Sequence, residues 1–203
     1  MNEAEGRVLL ELQNVCKCYG GAPVLRGVSL ALTCGAPVCV TGRSGIGKTT
    51  LLRLMLGLER PDSGAVLVRE GVRFSAVFQE NRLIEHLSAA DNVRFVCPAS
   101  AMPDGAALAG AFAAVGLTRQ EMQKKALALS GGQQRRTALL RALLAPADAV
   151  LLDEPFTGLD AEARRAAAVY IAQACAHRAL LCITHEPGDA ALLRARVFSL
   201  EEA

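Results

Sequence analysis

The feature that most constrains the fold is the glycine-rich segment Gly42-Arg43-Ser44-Gly45-Ile46-Gly47-Lys48-Thr49, because of what stands on either side of it. The apolar run Val38-Cys39-Val40 leads into this segment and predicts a buried parallel strand. Residues Lys48 to Leu56 follow and predict a helix that Gly57 ends. A strand, a glycine loop and a helix in this order match the phosphate-binding loop, so we expect an α/β fold with a parallel sheet.

The chemistry of this loop predicts contacts with the phosphates of a nucleotide. Glycines let the backbone curl until successive N–H groups converge on phosphate oxygens, and the following helix points its positive end at the same place. Lys48 is expected to neutralise the β and γ phosphates, and the Thr49 hydroxyl to hold Mg²⁺. The nucleotide contacts expected from this segment are Gly42, Arg43, Ser44, Gly45, Ile46, Gly47, Lys48, Thr49 and Thr50.

Two acids follow a second apolar run. Residues Ala149 to Leu152 are all apolar, so Asp153 and Glu154 are expected at the carboxyl edge of a buried strand, where α/β sheets bind ligands. Asp153 suits the positioning of a metal ion, and Glu154 suits the orientation and activation of an attacking water molecule. An ordinary acidic loop is the simpler interpretation, but it is weaker beside a complete phosphate loop.

A second anion site is predicted where Ser130-Gly131-Gly132-Gln133 begins a helix that runs to Leu144. The serine and glutamine have the spacing of a capping box, and bare backbone N–H groups at a helix start attract anions. Ser130 could serve only to cap its own helix. Since the chain already has one phosphate site, a second site favours an arrangement in which two chains share a nucleotide.

The remaining pattern predicts two α/β stretches around a helical insertion. Helical periodicity extends from Leu83 to Leu144, and Thr118-Arg119-Gln120-Glu121 within it has the capping-box form. Outside it we expect a turn at Asp62-Ser63-Gly64, a helix near Ala161–Ala176, and strands at Val28–Leu32, Phe74–Phe78, Val150–Leu152, Leu180–Thr184 and Val197–Leu200.

Composition restricts the partners and the compartment. The 203 residues carry 22 basic and 20 acidic side chains, for a net charge of +2, and they include no Trp. This balance argues against nucleic acid as a partner, which needs a concentrated basic face. No apolar run reaches the roughly 18 residues of a membrane span, and the polar start does not resemble a signal peptide, so we expect a cytoplasmic chain. The seven scattered cysteines are expected to be reduced.

The segment Leu129-Ser130-Gly131-Gly132-Gln133, placed between the phosphate loop and the two acids, resembles the signature of the ATP-binding cassette (ABC) ATPases. The resemblance implies an ABC-ATPase fold of the P-loop NTPases. Such a fold has an N-terminal antiparallel β subdomain and a RecA-like parallel-sheet core, here residues 1–82 and 145–203, and an inserted helical subdomain, here residues 83–144. The whole chain, 1–203, is then a single ABC ATPase domain.

The family pairs two subunits head to tail, so that the ATP of one subunit meets the signature of the other. The resemblance implies this role for Ser130, Gly131, Gly132 and Gln133, and it implies ATP with Mg²⁺ as the ligands. Four more positions match family motifs. They are Gln79, Asp160, His185 and Tyr19. The resemblance implies that Gln79 senses metal and γ-phosphate and that Asp160 lies across the dimer interface. It also implies that His185 contacts the γ-phosphate and that Tyr19 stacks on adenine.

A narrower resemblance is carried by Val77-Phe78-Gln79-Glu80-Asn81-Arg82-Leu83, followed by Asp91-Asn92-Val93. These residues look like the ATP-binding subunits of nitrate, sulfonate and taurine importers, whose relatives also move thiamine precursors. The resemblance implies an ATP-hydrolysing subunit that works as a homodimer or with a paralogous subunit. Permease subunits would hold it on the inner face of the cell membrane, and a substrate-binding protein would belong to the same system.

Several features depart from the family or leave alternatives open. The run Gln134-Arg135-Arg136-Thr137 replaces the commoner Arg-Gln-Arg-Val, with little expected consequence, and Arg135, Arg136 and Arg141 are expected to form a solvated face. The Cys97–Gly105 segment is short, and no regulatory domain is expected after the last strand. An exporter or lipoprotein-releasing ATPase is the main alternative. A soluble ABC ATPase acting on DNA or ribosomes is disfavoured, because coiled-coil arms and basic extensions are lacking.

Overall fold

Two β-sheets of different kinds frame the protein in the computed structural model, which describes residues 6–201. Strands β1 (Val8–Tyr19), β2 (Ala22–Thr33) and β4 (Ser63–Val68) form an antiparallel sheet in the order β2-β1-β4. The second sheet is parallel, and its strands are β3 (Val38–Thr41), β5 (Phe74–Val77), β6 (Ala149–Asp153), β7 (Ala179–Ile183) and β8 (Arg196–Ser199). Their order is β5-β6-β7-β3-β8, so the predicted combination of an antiparallel and a parallel sheet is confirmed.

The antiparallel sheet is built around a tight hairpin. Gly20 and Gly21 have φ angles of 56° and 81°, the left-handed conformations that a two-residue turn of this kind requires. Along β2 the buried and exposed residues alternate as predicted, with Val28 buried and Ser29 exposed. The predicted turn at 62–64 is wrong in part, because Ser63 already begins β4 and pairs with β1.

The parallel sheet is buried on both faces, and its strands therefore consist of apolar residues without alternation. Helix α1 (Lys48–Met55) packs on one face, where Leu151 and Leu181 share a core with Leu52. Helix α6 (Ala161–Ala174) packs on the opposite face, where Val150 and Leu180 contact a core that includes Ile171. A short helix, α7 (Pro187–Leu192), follows β7.

Four α-helices lie between β5 and β6 and form a third core. They are α2 (Ala89–Arg94), α3 (Gly105–Ala114), α4 (Arg119–Gln123) and α5 (Gly131–Leu144). Leu108, Phe112 and Leu140 are fully buried in this core. Both predicted capping boxes are present, at Thr118 before α4 and at Ser130 before α5, and each satisfies two backbone donors reciprocally.

Two further predictions can be compared with the described residues. All seven cysteines are free thiols, and Cys39 and Cys182 are buried register partners on neighbouring strands. Within residues 6–201, none of the helices has both the length and the apolar character that crossing a membrane requires.

Candidate functional site

A cavity of about 320 Å³ lies where β3 and β6 end, at the carboxyl edge of the parallel sheet. This is the edge at which open α/β sheets bind ligands. The structure brings together here most of the residues that the sequence predicts to contact a nucleotide. The lining residues are Tyr19, Val24, Ser44, Gly45, Gly47, Lys48, Thr49, Thr50, Gln79, Asp153 and Glu154.

The phosphate loop adopts a tight curl that depends on glycine at particular positions. Gly47 has a φ of 113°, and a Cβ atom there would lie 2.8 Å from Cγ1 of Val24. Three predicted contacts, Gly42, Arg43 and Ile46, do not line the cavity. The Arg43 side chain turns to the carboxylate of Glu201, which also accepts the Arg43 backbone N–H at 3.0 Å.

Lys48 places its ammonium inside the curl of the loop. The residue is only 7% exposed, and Nζ donates to the carbonyl oxygens of Gly42 at 2.6 Å and Arg43 at 2.9 Å. Gly47 caps α1 without a side-chain hydrogen bond. The positive end of that helix and a confined cation therefore point into one cavity, which is the charge distribution that phosphate groups require.

Thr49 and Asp153 form a pair of oxygen ligands at the base of the cavity. The Thr49 hydroxyl donates to Oδ2 of Asp153 at 3.1 Å, and Asp153 is 3% exposed. Burial raises the pKa of the Asp153 carboxyl, although the hydrogen bond from Thr49 lowers it. A cation beside this carboxylate would favour its ionised form.

This pair fits Mg²⁺. Among the described residues, no group of three or more acidic, histidine or cysteine side chains could hold a metal ion alone. Mg²⁺ characteristically takes one or two protein ligands and completes its shell with water and substrate phosphates, so a hydroxyl and one carboxylate beside a phosphate loop suit it.

Glu154 is held in a conformation that non-glycine residues rarely adopt. Its φ is 49°; a backbone conformation of this kind costs about 1–3 kcal/mol and persists only where the surroundings enforce it. The Glu154 backbone N–H donates to the carbonyl of Ile183 at 2.9 Å. The Thr157 hydroxyl donates to Oε2 at 3.1 Å, and Nδ1 of His185 lies 3.3 Å from Oε1. Glu154 is therefore oriented from three sides and lies at the border of the cavity.

Gln79 and Tyr19 occupy different walls of the cavity. Gln79 is exposed in the loop after β5, and Tyr19 is 45% exposed at the end of β1. The Tyr19 hydroxyl bonds to Glu59, which raises the tyrosine pKa, and the Lys17 ammonium lies 5.5 Å from its ring centroid. The ring is therefore fixed at its hydroxyl end while much of it stays accessible for stacking on a base.

The signature segment lies elsewhere on the same chain. Ser130 is exposed, its hydroxyl accepts the Gln133 N–H at 3.3 Å, and the Gln133 side chain accepts the Ser130 N–H at 2.9 Å. A Cβ atom on Gly132 would lie 3.2 Å from the Gly158 carbonyl, two residues before Asp160, which caps α6. The signature and Asp160 therefore lie close together, but neither lines the cavity of the phosphate loop.

The sequence profile of the family described as ABC transporter matches residues 25–157. This span includes the phosphate loop, the signature and both acids. The chain belongs to the ABC transporter family.

Relatives of this ABC cassette include ATP-binding proteins of several import systems. It is 36% identical over 204 residues to the Fe(3+) ions import ATP-binding protein FbpC 1 of Rhodococcus jostii, with 93% of this chain and 58% of that protein covered. It is 40% identical over 196 residues to the aliphatic sulfonates import ATP-binding protein SsuB 1 of Nocardia farcinica, with 96% and 78% covered. The cassette thus spans little more than half the length of the iron-import relative.

Two solved structures of one cassette, MJ0796, have the same fold. One is the dimeric post-hydrolysis state of the ATP-binding cassette MJ0796 bound to ADP and Pi, with a TM-score of 0.81, 25% identity and 94% of both chains covered. The other is the dimeric structure of MJ0796, described as a bacterial ABC transporter cassette, with a TM-score of 0.79, 25% identity and 95% of both chains covered.

The prediction that three arginines of the cassette form a solvated face is wrong. Arg135 is 4% exposed, and Arg136 and Arg141 are only partly exposed. Arg136 Nη1 donates to the Gly116 carbonyl at 2.8 Å, and Arg141 Nη1 donates to the Arg82 carbonyl at 2.8 Å. Their long side chains reach carbonyl groups of neighbouring loops, and these groups cannot be located from helical periodicity.

Sequence reasoning also missed a buried acid beside the cassette's His185. Asp189 is almost fully buried in α7, and its carboxylate accepts hydrogen bonds from the Thr184 hydroxyl and from Nε of Arg164, the latter at 2.7 Å. This network connects the residue before His185 to helix α6. No pattern in the sequence indicates it, because the three partners come from separate segments.

Proposed function

We propose that this chain binds ATP with Mg²⁺ and hydrolyses it as the ATP-binding subunit of a bacterial ABC transporter. The observation that carries the proposal is the convergence of Lys48, the Thr49–Asp153 pair and the His185–Glu154 contact at one edge of the sheet. A phosphate site, a metal site and a candidate base then lie within one reaction centre.

The chain's own residues would divide the chemistry between them. Lys48 would exchange its bonds with the loop carbonyls for the β and γ phosphates of ATP, where its charge stabilises the transferring phosphoryl group. Thr49 and Asp153 would hold Mg²⁺, with Gln79 as a further contact. When bound there, the cation would stabilise negative charge on the phosphate oxygens.

Glu154 would accept a proton from the attacking water molecule. The resulting O–P bond forms as the bond between the γ phosphorus and the bridging oxygen breaks, and ADP leaves with the bonding electron pair. His185 would hold Glu154 in place and contact the γ phosphate. Side chains held in this way accelerate the reaction mainly because they orient the water molecule and the γ phosphate for attack.

A second copy, or a paralogous subunit, would complete the ATP site with its signature segment and Asp160. The exposed start of α5 and its absence from the chain's own cavity support this arrangement. Both solved structures of the MJ0796 cassette, which has a similar fold, are described as dimeric, and this supports the arrangement further.

The membrane function would be import, with permease subunits that anchor the cassette to the inner face of the cell membrane. The names of the iron-import and sulfonate-import relatives support this direction. Because the cargo contacts belong to other subunits, the sulfonate, nitrate, taurine or thiamine-precursor class is supported only indirectly, by the loop around Gln79 and by the name of the sulfonate-import relative. A substrate-binding protein would deliver the cargo.

The ATPase activity is tested by steady-state hydrolysis with Lys48→Ala. We expect loss of ATP binding and turnover, because the cation inside the phosphate loop is removed, while Lys125→Ala on the exposed surface leaves both unchanged. Normal ATP affinity in Lys48→Ala would refute the phosphate-loop assignment. The transport role is tested by purification of tagged protein from solubilised native membranes: a permease with a substrate-binding protein supports import, and a permease alone supports export.

A further inference from the structure

Arg135 is a cation enclosed among backbone carbonyls near the centre of the cassette. Its bonds go to two loops that are far apart in sequence, one after β5 and one after β6. A guanidinium group is planar and offers five donors in a fixed fork, so it can hold two loops at a set separation. These loops carry Gln79 and Glu154, two of the residues proposed to act on ATP.

One branch of the fork holds the loop that carries Gln79. Nη1 of Arg135 donates to the Phe78 carbonyl at 2.5 Å, to the Gln79 carbonyl at 3.3 Å and to Oδ1 of Asn81 at 3.2 Å. Arg141 adds a bond to the Asn81 carbonyl at 3.0 Å. The loop is therefore attached to α5 through its backbone, which leaves the side chain of Gln79 free to face the cavity.

The other branch holds the strained peptide at the end of β6. Nη2 of Arg135 donates to the Asp153 carbonyl and, at 2.6 Å, to the Glu154 carbonyl. Glu154 has the left-handed φ that requires enforcement by its surroundings. Bonds to the carbonyls on both sides of the Glu154 Cα fix that backbone conformation, and with it the direction in which the carboxylate points.

We propose that Arg135 is a positioning residue for hydrolysis, which holds the backbones of Gln79 and Glu154 at a fixed separation on the signature helix. This inference rests on the proposed ATPase function. Arg135 touches neither the reacting atoms nor the cavity, so it acts through Glu154 and Gln79. The remaining donor, Nε, is buried without a hydrogen-bond partner among the described residues, which lowers the stability of the folded state.

A positioning role and a purely structural role predict different kinetics. Loss of a structural contact lowers the amount of folded protein and the melting temperature, but each folded molecule retains its kcat. Loss of positioning lowers kcat while KM for ATP and the affinity for ATP stay nearly unchanged, because the phosphate loop that binds ATP is intact.

The experiment compares Arg135→Ala and Arg135→Lys with the matched control Arg178→Ala, which removes another partly buried guanidinium; it donates to the Leu143 carbonyl at 2.7 Å and bonds to neither loop. We expect kcat to fall roughly 10- to 100-fold in Arg135→Ala, because misplacement of a reacting group by about 1 Å has an effect of this size. Arg135→Lys should recover only part of the rate, since an ammonium keeps the charge but lacks the planar fork that bonds to both loops. Arg178→Ala should retain the wild-type kcat.

Binding of a fluorescent ATP analogue and thermal unfolding accompany the kinetics. Unchanged affinity with a reduced kcat in folded Arg135→Ala supports the proposal, and a wild-type kcat in that variant overturns it. A kcat that falls only in proportion to the unfolded fraction also overturns it. If Arg135→Ala fails to fold, Arg135→Lys decides the question by the same criteria. Failure of the wild-type protein to hydrolyse ATP would instead refute the proposed function.

Discussion

Nδ1 of His185 lies 3.3 Å from Oε1 of Glu154, although 31 positions of sequence separate the two residues. The contact follows from strand pairing, because β6 and β7 are parallel neighbours and Asp153 is paired with Ile183. Each side chain begins just beyond its strand, so the pairing brings both to the same edge. The imidazole is more than half exposed, which leaves it free to turn toward a bound phosphate.

Glu154→Gln tests the proposed base. The amide is nearly isosteric but cannot accept the proton of the attacking water, so we expect ATP binding to persist and turnover to fall by a factor of about 100 or more. Size-exclusion chromatography with ATP should then show an accumulated dimer. Glu162→Gln, an exposed acid in the first turn of α6, serves as the control. Unchanged hydrolysis in Glu154→Gln would remove this residue from its proposed role.

His185→Ala tests whether the imidazole supports the carboxylate. We expect a smaller loss than for Glu154→Gln, of roughly 10- to 100-fold in kcat, because the base remains but loses its contact. His86→Ala, an exposed histidine near α2, should hydrolyse ATP at the wild-type rate. Equal rates for the two histidine variants would contradict a role for His185.

Ser130→Ala and Thr118→Ala form a matched pair, because each removes the hydroxyl of a capping box. Both should lose about 0.5–2 kcal/mol of unfolding free energy, measured with urea. Only Ser130→Ala should also lose hydrolysis, since only this residue belongs to the proposed dimer site. If both variants hydrolyse ATP at the wild-type rate, Ser130 serves only as a cap.

Asp62 gives a pH-dependent prediction for stability. Its carboxylate accepts a hydrogen bond from the Cys18 N–H and forms an ion pair with the Lys17 ammonium. These contacts lower the Asp62 pKa below its ordinary value. A lowered pKa in the folded state stabilises the fold above the unfolded-state pKa, and the stabilisation is lost as the pH falls through the folded-state pKa. Asp62→Asn should therefore unfold more readily than wild type at neutral pH.

This difference should shrink in strongly acidic solution, where the wild-type carboxyl is also protonated. Urea unfolding of both proteins at neutral and at strongly acidic pH measures this difference in stability. Glu70→Gln, at an exposed position, serves as the control. An equal difference at both pH values would show that the charge of Asp62 has no part in the effect.

The sequence could predict those features that depend on local order along the chain. Gly42–Thr49, Asp153 and Glu154 follow apolar runs, and the end of a buried strand is readable from such a run together with the loop behind it. The capping boxes at Thr118 and Ser130 involve residues three positions apart, so their hydrogen bonds are also local. Most element ends agree within one or two residues, as in α1, which ends at Met55 rather than Leu56, but β2 begins at Ala22 rather than at the predicted Val28.

The features that the sequence could not predict depend on backbone atoms of distant segments. Arg135 bonds to carbonyl groups, which every residue possesses, so no side-chain pattern indicates its partners. Strand β4 was missed for a different reason: Ala65-Val66-Leu67-Val68 is an apolar run typical of a strand, but Ser63 and Gly64 at its start have the composition of a turn. Asp189 is an acid in a short helix whose partners are Thr184 and Arg164, and their meeting depends on how α6 and α7 pack.

The placement of α5 has a consequence for how two copies would share their work. Ser130 lies at the start of the helix, and Arg135, whose guanidinium donates to the Glu154 carbonyl, lies about 7.5 Å farther along its axis. In the proposed dimer, ATP bound to the phosphate loop of one copy would contact Ser130 of the other copy, and α5 would connect that contact to the Glu154 loop of the second copy. Hydrolysis in each subunit would then depend on ATP binding to its partner, so that two ATP molecules would be hydrolysed per cycle.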